Sequence, residues 1–235
     1  MPDGTILITG ANRGIGAAIA LELAAAGREV AGLTRSGATA AGRGFVCDVG
    51  DEAHIARAVA AVAAAGPIAG LVNNAGVYEA HVSAELTAAG FERIMRINAT
   101  AALVAAREVY PHLKRAGGGL IVNIGSYYDK LGVAETVAYC ASKAAIGAIT
   151  RCLAVEWAAD NIRVLNLAPG FIATELNAPS RALPATQRWI ERRIPVGRAG
   201  SAEEIGRLVA MLFDAGLGYL TGETIYIDGA LGVNA

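Results

Sequence analysis

Charge of either sign is scarce in this sequence, and the two signs balance. Charged side chains make up 17% of the 235 residues, and the formal net charge is −1. A nucleic-acid-binding protein normally carries a concentrated basic surface, so this balance argues against that class of partner. The densest basic group consists of four arginines, Arg188, Arg192, Arg193 and Arg198. They could bind an anionic substrate, although a solvated face is the simpler interpretation.

Cysteine is scarce as well. Cys47, Cys140 and Cys152 are odd in number and widely spaced, so they match neither a disulfide framework nor a zinc-ligand pattern. This usage predicts a reducing compartment. No basic stretch with a following apolar run and cleavage site precedes the first predicted strand, and no apolar run reaches membrane-spanning length. We therefore expect a cytoplasmic protein with no membrane partner.

Apolar residues are abundant, at 54% of the chain, and they follow two alternating patterns. Short runs rich in Val, Ile and Leu predict strands at Thr5–Thr9, Glu29–Thr34, Gly44–Asp48, Ile68–Asn73, Gly119–Gly125, Ile162–Ala168 and Glu223–Asp228. Ala-rich stretches of helical period predict helices at Gly14–Ala26, Asp51–Ala65, Phe91–Arg115, Thr136–Ala158 and Ala202–Asp214. Continuous apolar strands that alternate with helices are typical of a parallel sheet covered on both faces.

The sequence therefore predicts an α/β fold of the doubly wound, Rossmann type, with a seven-stranded parallel sheet and helices on both faces. We expect one domain over residues 1–235. The segment Asn177–Pro195 contains three prolines and interrupts the alternation, which predicts a mobile substrate loop at about 177–195. In such sheets ligands bind beyond the carboxyl ends of the strands, so functional residues should follow strands.

A glycine-rich segment follows the first strand and leads directly into a helix. It runs Thr9-Gly10-Ala11-Asn12-Arg13-Gly14-Ile15-Gly16. The glycines permit a tight turn and close backbone approach, and the helix N-terminus offers N–H groups to a pyrophosphate. The spacing differs from Gly-x-Gly-x-x-Gly, and a simple turn is the alternative. The position between first strand and first helix favours a dinucleotide site.

The end of the second strand indicates which dinucleotide binds. An acidic residue there would bind the adenosine ribose 2′-hydroxyl and repel a 2′-phosphate, but Thr34 ends the strand and Arg35 follows. Arg13 could approach the same phosphate from the other side. Each arginine could be a surface charge, yet the pair favours NADP(H) over NAD(H). Asp48, next to Val49, could accept from the adenine amino group or cap a turn, and both interpretations stay open.

The fourth strand ends in Asn73-Asn74-Ala75-Gly76. Small residues and side-chain amides at that point would let a flat ring lie against the backbone. An asparagine-rich turn is the alternative if the motif is taken alone.

Tyr139 and Lys143 lie four residues apart, on one face of a predicted helix. A phenol with its ordinary pKa of about 10 is a poor base at neutral pH. We expect the neighbouring ammonium to lower that pKa. The phenol could then donate a proton to a carbonyl oxygen as a hydride arrives, or accept it in the reverse direction.

A second pair, Tyr110 and Lys114, has the same spacing. The residue thirteen before Tyr110 is apolar, whereas Ser126 stands thirteen before Tyr139. A hydroxyl at that point could hold the substrate oxygen and stabilise charge on it. We therefore interpret Tyr110 and Lys114 as structural and Tyr139 as chemical.

These motifs, with Pro169-Gly170 after the sixth strand, together resemble the short-chain dehydrogenase/reductase family from Thr5 to about Gly229. The resemblance implies that Tyr139 is the acid/base, that Ser126 orients the substrate carbonyl, and that Lys143 binds the nicotinamide ribose and tunes Tyr139. It also implies that Asn98 holds a proton-relay water. By itself Asn98 is better explained as a capping or helix-bend residue.

The resemblance further implies that Ile172 and Thr174 grip the carboxamide of the cofactor. The residues expected to bind NADP(H) are therefore Gly10, Asn12, Arg13, Gly14, Ile15, Gly16, Arg35, Asp48, Val49, Asn74, Ala75, Gly76, Tyr139, Lys143, Pro169, Gly170, Ile172 and Thr174.

The stretch from Ile194 to Gly229 resembles the 3-oxoacyl-carrier-protein reductase branch of that family. This implies reduction of a 3-oxoacyl thioester or related small ketone, carried on acyl-carrier protein or coenzyme A, by a homotetramer. Tyr127-Tyr128 departs from the small residues of many relatives. As substrate contacts the two rings would narrow the pocket beside Ser126 and Tyr139, unless one points into the core.

Two other functions stay open at this point. One is an alcohol or sugar dehydrogenase that works oxidatively with NAD(P). The other is a non-catalytic NADP(H)-sensing protein, which the presence of Ser126, Tyr139 and Lys143 disfavours.

Overall fold

The structure is a computed structural model that describes residues 3–234, except for the side chain of Leu176. Its strands are β1 (Thr5–Thr9), β2 (Val30–Thr34), β3 (Arg43–Val46), β4 (Ile68–Asn73), β5 (Gly119–Ile124), β6 (Ile162–Pro169), β7 (Ile172–Ala173), β8 (Gly200–Ser201) and β9 (Thr224–Ile227). Its helices are α1 (Gly14–Ala25), α2 (Glu52–Ala65), α3 (Ala88–Met95), α4 (Ala101–Arg115), α5 (Val137–Trp157), α6 (Ala178–Arg181), α7 (Pro184–Arg193) and α8 (Ala202–Asp214).

The predicted seven-stranded parallel sheet is confirmed. Its order is β3-β2-β1-β4-β5-β6-β9, and every neighbouring pair is parallel. The predicted strand bounds differ from the observed ones by no more than two residues. The strand order reverses between β1 and β4, and the carboxyl ends of these strands are where a doubly wound sheet binds its ligand.

Apolar side chains of β1 alternate between two cores. Ile6 and Ile8 pack on one face of the sheet with Phe213 of α8 and residues of α1. Leu7 packs on the other face with Val109 of α4 and residues of α2 and α5. Successive residues of a strand point to opposite faces, and both faces are buried here. The sequence of β1 is therefore a continuous apolar run and does not alternate between apolar and charged residues.

One predicted helix is divided in the structure. The sequence predicted a helix over Phe91–Arg115, but the helical stretch begins at Ala88, after a cap in which the Thr87 hydroxyl accepts from Gly90 N–H at 3.1 Å. A π-helical segment, Arg96–Thr100, separates α3 from α4. Such segments carry an extra residue in one turn and recur at functional sites.

The prediction of a loop over Asn177–Pro195 is wrong as to secondary structure. The short helices α6 and α7 occupy most of this range. Pro179 and Pro184 stand in their first turns, where proline's fixed φ suits a helix and its missing N–H costs no hydrogen bond. The role of the segment over a substrate remains a prediction.

A row of polar residues crosses four neighbouring strands of the sheet, from the last residue of β4 to the first residue of β9. Asn73, Asn123, Asn166 and Thr224 stand opposite one another in register. Asn73 Nδ2 donates to Asn123 Oδ1 at 2.9 Å, and Asn166 Nδ2 donates to Thr224 Oγ1 at 3.1 Å. Asn166 Oδ1 is buried and has no hydrogen-bond partner within residues 3–234. The Asn166 amide nitrogen is thus hydrogen-bonded while its oxygen has no partner among the described residues, and an unpaired buried oxygen lowers the stability of this part of the sheet.

Gly125, which follows β5, provides the space for this amide. A Cβ at Gly125 would lie 2.5 Å from Asn166 Oδ1. Gly125→Ala should therefore lower the free energy of unfolding by about 1–3 kcal/mol through overpacking. Urea unfolding followed by circular dichroism measures this loss.

The matched control is Gly132→Ala, because nothing lies within 4 Å of a Cβ at Gly132. Adding Asn166→Ala to Gly125→Ala should recover part of the loss, so that the double variant is destabilised by less than the sum of the single ones. Equal effects of the two glycine variants, or strict additivity in the double variant, would show that the two positions do not conflict.

Candidate active site

The N-terminus of α1 is open toward the crevice. Its N-cap residue, Arg13, has an extended backbone and makes no side-chain cap, and the first turn contains no acidic residue. The first N–H groups of a helix need partners from outside it, and they favour negative charge. Asn12 and Arg13 are exposed, while Ile15 is half-buried against the core. This geometry suits an anion such as a pyrophosphate.

Close packing explains the glycines of this loop. A Cβ at Gly16 would lie 2.1 Å from the Gly10 carbonyl oxygen, so only glycine fits. Gly10 and Gly14 have φ values of +71° and +54°, which glycine adopts without strain. Asn74 Nδ2 holds the loop by donating to the carbonyls of Thr9 at 3.0 Å and Gly10 at 3.2 Å. The Asn74 side chain therefore has a structural role between β1 and β4.

A second segment faces the glycine-rich loop. The Thr174 methyl carbon lies 3.6 Å from where a Cβ of Gly14 would be. The side chain of Ile172 is buried in the core, and its carbonyl accepts from Asn177 Nδ2 at 2.8 Å. Gly170, after Pro169, has no room for a side chain, because its Cβ would lie 2.6 Å from Asp228 Cα. The loop and this segment thus form two walls of one cleft.

Arg13 and Arg35 are both exposed, and neither forms an ion pair with any residue from 3 to 234. Arg198, by contrast, is held by both carboxylate oxygens of Glu204 at 2.9 and 2.8 Å. Two guanidinium groups without an ion pair in the described part of the chain therefore stand at the glycine-rich loop and at the end of β2. Asp48 accepts from Gly50 N–H at 2.9 Å, so its carboxylate makes a turn, and half-buried Val49 packs against the core.

The structure brings together the four predicted catalytic side chains. Ser126 follows β5, and its hydroxyl lies near enough to the phenol of Tyr139 on α5 to act on the pKa of that phenol. One turn further along α5, Lys143 Nζ donates to the Ile124 carbonyl at 2.8 Å and lies 5.6 Å from the centre of the Tyr139 ring. Ser126 and Lys143 are buried, and Tyr139 is half-buried. A hydroxyl, a phenol and an ammonium therefore meet where β5 ends.

Asn98 lies in the π-helical segment and is buried. Its Oδ1 accepts from Val77 N–H at 2.8 Å, and its Nδ2 donates to the Val77 carbonyl at 2.9 Å and to Ser142 Oγ at 3.0 Å. Asn98 thus lies where the helix is irregular, and its proposed part in a proton relay remains a prediction. Its side chain joins the loop after β4 to α5.

Ser142 was not predicted from the sequence. It is fully buried, and its Oγ donates to the Tyr139 carbonyl at 2.7 Å while accepting from Asn98. Ser142 therefore links Asn98 to the helical turn that carries the phenol. A serine inside a Tyr-x-x-x-Lys turn gives no pattern that distinguishes it from a solvated helix residue.

The expected lowering of the Tyr139 pKa is wrong for this structure. Burial raises the pKa of Tyr139 to about 12, and the hydrogen bond from Ser126 opposes this only in part. Burial also lowers the pKa of Lys143 to about 8. The ammonium donates to Ile124 rather than to the phenol, and the phenol keeps its proton at neutral pH. Tyr139 therefore carries a phenol proton that it can donate.

Three further tyrosines surround Tyr139. Tyr127, predicted to contact substrate, is buried in a cluster with Ile190 and Ile194, so its ring points into a core. The ring of Tyr128 lies edge-on to Tyr139, with centroids 5.8 Å apart. Tyr78, which was not predicted, does the same at 5.0 Å. Its position two residues after Gly76 was the available signal.

The competing pair, Tyr110 and Lys114, has a structural role, as expected. The Tyr110 hydroxyl donates to Asp160 at 2.6 Å, and Lys114 forms an ion pair with the same carboxylate at 3.1 Å. The Tyr110 ring packs on Trp157 with centroids 4.7 Å apart. This network fastens α4 to the end of α5.

Among the helices described for residues 3–234, none combines the length and the apolar character that a membrane span requires.

Comparison with known proteins places this geometry among oxidoreductases. A family model described as enoyl-(acyl carrier protein) reductase matches residues 10–232. Galactitol 2-dehydrogenase (L-tagatose-forming) of Cereibacter sphaeroides is 35% identical over 94% of this chain and 92% of its own. The 3-oxoacyl-acyl-carrier-protein reductase MabA of Mycobacterium bovis is 35% identical over 97% of this chain and 93% of its own.

A solved structure has the same fold. Gluconate 5-dehydrogenase of Burkholderia cenocepacia, in complex with NADP and tartrate, superposes with a TM-score of 0.91 and 30% identity, covering 100% of this chain and 97% of its own.

The raised pKa of Tyr139 can be measured directly. In protein with ring-labelled tyrosine, the Tyr139 signal should show an un-ionised phenol at pH 10, where an ordinary phenol is about half ionised. Comparison with Tyr139→Phe assigns the signal. Ser126→Ala should raise the pKa further, because it removes the hydrogen bond that opposes burial. Half-ionisation of Tyr139 at or below pH 10 would show that burial does not dominate.

Proposed function

The chain belongs to the short-chain dehydrogenase/reductase family, and we propose that it reduces a ketone to a secondary alcohol with NADPH. The substrate class is a 3-oxoacyl thioester or a related small ketone. The observation that carries the proposal is that Ser126, Tyr139 and buried Lys143 lie together where β5 ends. These groups lie at the carboxyl end of the sheet, next to the open N-terminus of α1.

The chain's own residues fit an NADP(H) molecule. The glycine-rich loop from Gly10 to Gly16 would hold the pyrophosphate at the α1 N-terminus. Arg13 and Arg35 would bind the 2′-phosphate, since neither is engaged by an acid in residues 3–234. Asp48 and Val49 would lie near the adenine. The solved gluconate 5-dehydrogenase that this chain resembles contains NADP, which supports the choice.

The nicotinamide end of the cofactor would lie against Ala75 and Gly76 and be held by the main chain of Ile172 and by Thr174. Lys143 would bind its ribose. The cofactor supplies the hydride. This arrangement leaves the proton to be supplied by the protein.

Ser126 and Tyr139 are placed to hold the substrate oxygen together. Both hydroxyls can donate to that oxygen, and the phenol can transfer its proton to the alkoxide that forms. The raised pKa keeps the phenol protonated at neutral pH, so that Tyr139 holds a proton to donate. A cavity of ≈ 10 Å³ bordered by Asn98 and Asn73 is large enough for about one water molecule, and we assign it to the proton relay.

An oxidative polyol dehydrogenase is the second candidate, because galactitol 2-dehydrogenase is among the relatives. Polyol binding requires several polar partners for the substrate hydroxyls. The rings that pack around Tyr139 are those of Tyr78 and Tyr128, and each offers a substrate one hydroxyl. We therefore favour ketone reduction. A purely NADP(H)-sensing protein is less favoured still, because the proton-transfer groups are in hydrogen-bonded positions.

The assembly and partners are proposed from the surface. Leu103 on α4 and Val155 on α5 are exposed apolar residues on the long helices, in keeping with a homotetramer built through them. Arg188, Arg192 and Arg193 on α7 form no ion pair with other described residues and could contact an acyl-carrier protein or coenzyme A. We place the protein in the cytoplasm.

The assay that tests this function is oxidation of NADPH, followed by its absorbance, with 3-oxoacyl thioesters and small ketones as substrates. Tyr139→Phe should lower turnover by about 10²–10⁴-fold because it removes the proton donor. NADPH binding, measured by fluorescence, should persist. Tyr110→Phe is the matched control, since it changes the tyrosine of the structural pair. Equal turnover in Tyr139→Phe and the control would rule out the proposed role.

Arg35→Asp tests the choice of cofactor. Replacing the guanidinium by a carboxylate should lower kcat/KM for NADPH relative to NADH by at least about tenfold, because a charge-assisted hydrogen bond to phosphate is lost and repulsion is added. Arg57→Asp, on exposed α2 surface, is the control. An unchanged ratio would mean that another group binds the 2′-phosphate.

A further inference from the structure

Two tyrosine rings stand edge-on against the ring of Tyr139. The Tyr78 ring lies at 5.0 Å with an interplanar angle of 77°, and the Tyr128 ring lies at 5.8 Å with an angle of 83°. Edge-to-face contact at these distances is a preferred arrangement of aromatic rings. The two rings come from different segments, Tyr78 from the one after β4 and Tyr128 from the one after β5. They form an aromatic wall on the proton donor.

Other residues pack against the aromatic wall and support it. The buried ring of Tyr127 packs on Tyr128 with centroids 4.6 Å apart, and it rests on Ile190 and Ile194. The Tyr78 segment is fastened to the segment before α5, because His81 N–H donates to the Glu135 carbonyl at 2.7 Å. The rings are therefore held at fixed positions relative to Tyr139.

The outer surface of the wall is available to a ligand. The side chain of Tyr78 is 53% exposed, and that of Tyr128 is half-buried. A tyrosine that makes an edge-to-face contact on one side and remains half-exposed on the other can contact a second molecule. Since Tyr78 touches Tyr139 itself, that molecule would be the one that Tyr139 protonates.

The wall is apolar and mainly uncharged. Burial and the neighbouring Tyr128 and Cys140 raise the pKa of Tyr78, and exposed Glu135 adds a smaller effect in the same direction. Phenols in such surroundings stay neutral across the physiological range. The faces of the two rings offer no hydrogen-bond partners, so a substrate with several hydroxyls could pair them only with the two phenol oxygens. An apolar ligand would not have that cost.

We propose that Tyr78 and Tyr128 select ketones in which a flat ring adjoins the carbonyl, over open-chain ketones of equal carbon number. A planar ring can stack on or meet the edge of both tyrosines at once, whereas a flexible chain must lose rotational freedom to do so. This inference rests on the proposed ketone reduction and narrows its substrate class. It makes Tyr78 a specificity-determining residue.

The experiment compares an aryl methyl ketone, acetophenone, with the open-chain 2-octanone, which has the same number of carbons. NADPH oxidation gives kcat/KM for both with the wild type, Tyr78→Ala, Tyr78→Phe and Tyr219→Ala. Tyr219 is fully exposed in the turn after α8, so it offers the same substitution away from the wall. Calorimetry measures binding of the product alcohols, 1-phenylethanol and 2-octanol, to the NADP⁺-loaded enzyme.

The wild type should prefer the aryl ketone by about tenfold or more, the scale of one good ring contact plus its buried area. Tyr78→Ala should remove most of that ratio through a higher KM for the aryl ketone, while Tyr78→Phe and Tyr219→Ala should retain it. Equal kcat/KM for the two ketones in the wild type would overturn the inference. An equal loss of kcat/KM for both ketones in Tyr78→Ala would also overturn the inference, because it would show that Tyr78 has only a structural role.

The binding measurement separates this inference from the proposed function. Selective binding of 1-phenylethanol that depends on Tyr78, without turnover of either ketone, would support the wall and reject ketone reduction. Turnover of both ketones without any preference for the aryl ketone would support ketone reduction and reject selection by the aromatic wall. No selective binding and no turnover would reject both.

Discussion

The active site depends on one buried side-chain amide. Asn98 bonds both backbone groups of Val77 and the hydroxyl of Ser142, and so joins the loop after β4 to the helix that carries Tyr139. Removing such an amide would leave several buried groups without partners, each of which is costly in the protein interior. The π-helical segment explains how the amide gets there, since its extra residue redirects a helix that would otherwise run straight from α3 into α4. The position of the phenol therefore depends on an irregularity in a neighbouring helix.

The cofactor end is fixed by the same kind of contact. Thr9 Oγ1 accepts from the N–H groups of Asn74 and Ala75, and the Asn74 amide donates back to the β1 end. These bonds span the point where the strand order reverses, so the crevice of the doubly wound sheet is held at a fixed width. At both ends of the site an asparagine side chain, Asn98 or Asn74, bonds backbone groups that lie beyond the last residues of the strands. Strand pairing no longer satisfies those backbone groups.

Burial determines how the proton-transfer groups behave. It raises the pKa of Tyr139 and lowers that of Lys143, so both shifts favour the neutral form of each group. The side chains that act on the Tyr139 pKa include Ser126 and the neighbouring Tyr78 and Tyr128, which come from segments far apart in the chain. The rings of Tyr78 and Tyr128 contribute to this burial, so the groups that act on the Tyr139 pKa also form the surface beside it.

The sequence by itself determined the sheet and the identity of most site residues. Continuous apolar runs require strands covered on both faces, and the carboxyl ends of parallel strands meet at one edge, which places Ser126 there. Tyr139 and Lys143 were joined to it by their spacing of four on a helix, by the thirteen residues from Ser126 to Tyr139, and by the family resemblance. Only the tertiary structure decided the direction of the Tyr139 pKa shift, because spacing along a helix shows that an ammonium is near but not which oxygen it faces. It also decided that Tyr127 points into a core while Tyr78 faces the site, and that Ser142 connects Asn98 to Tyr139. These facts depend on contacts between segments far apart in the chain, which no local period or motif encodes.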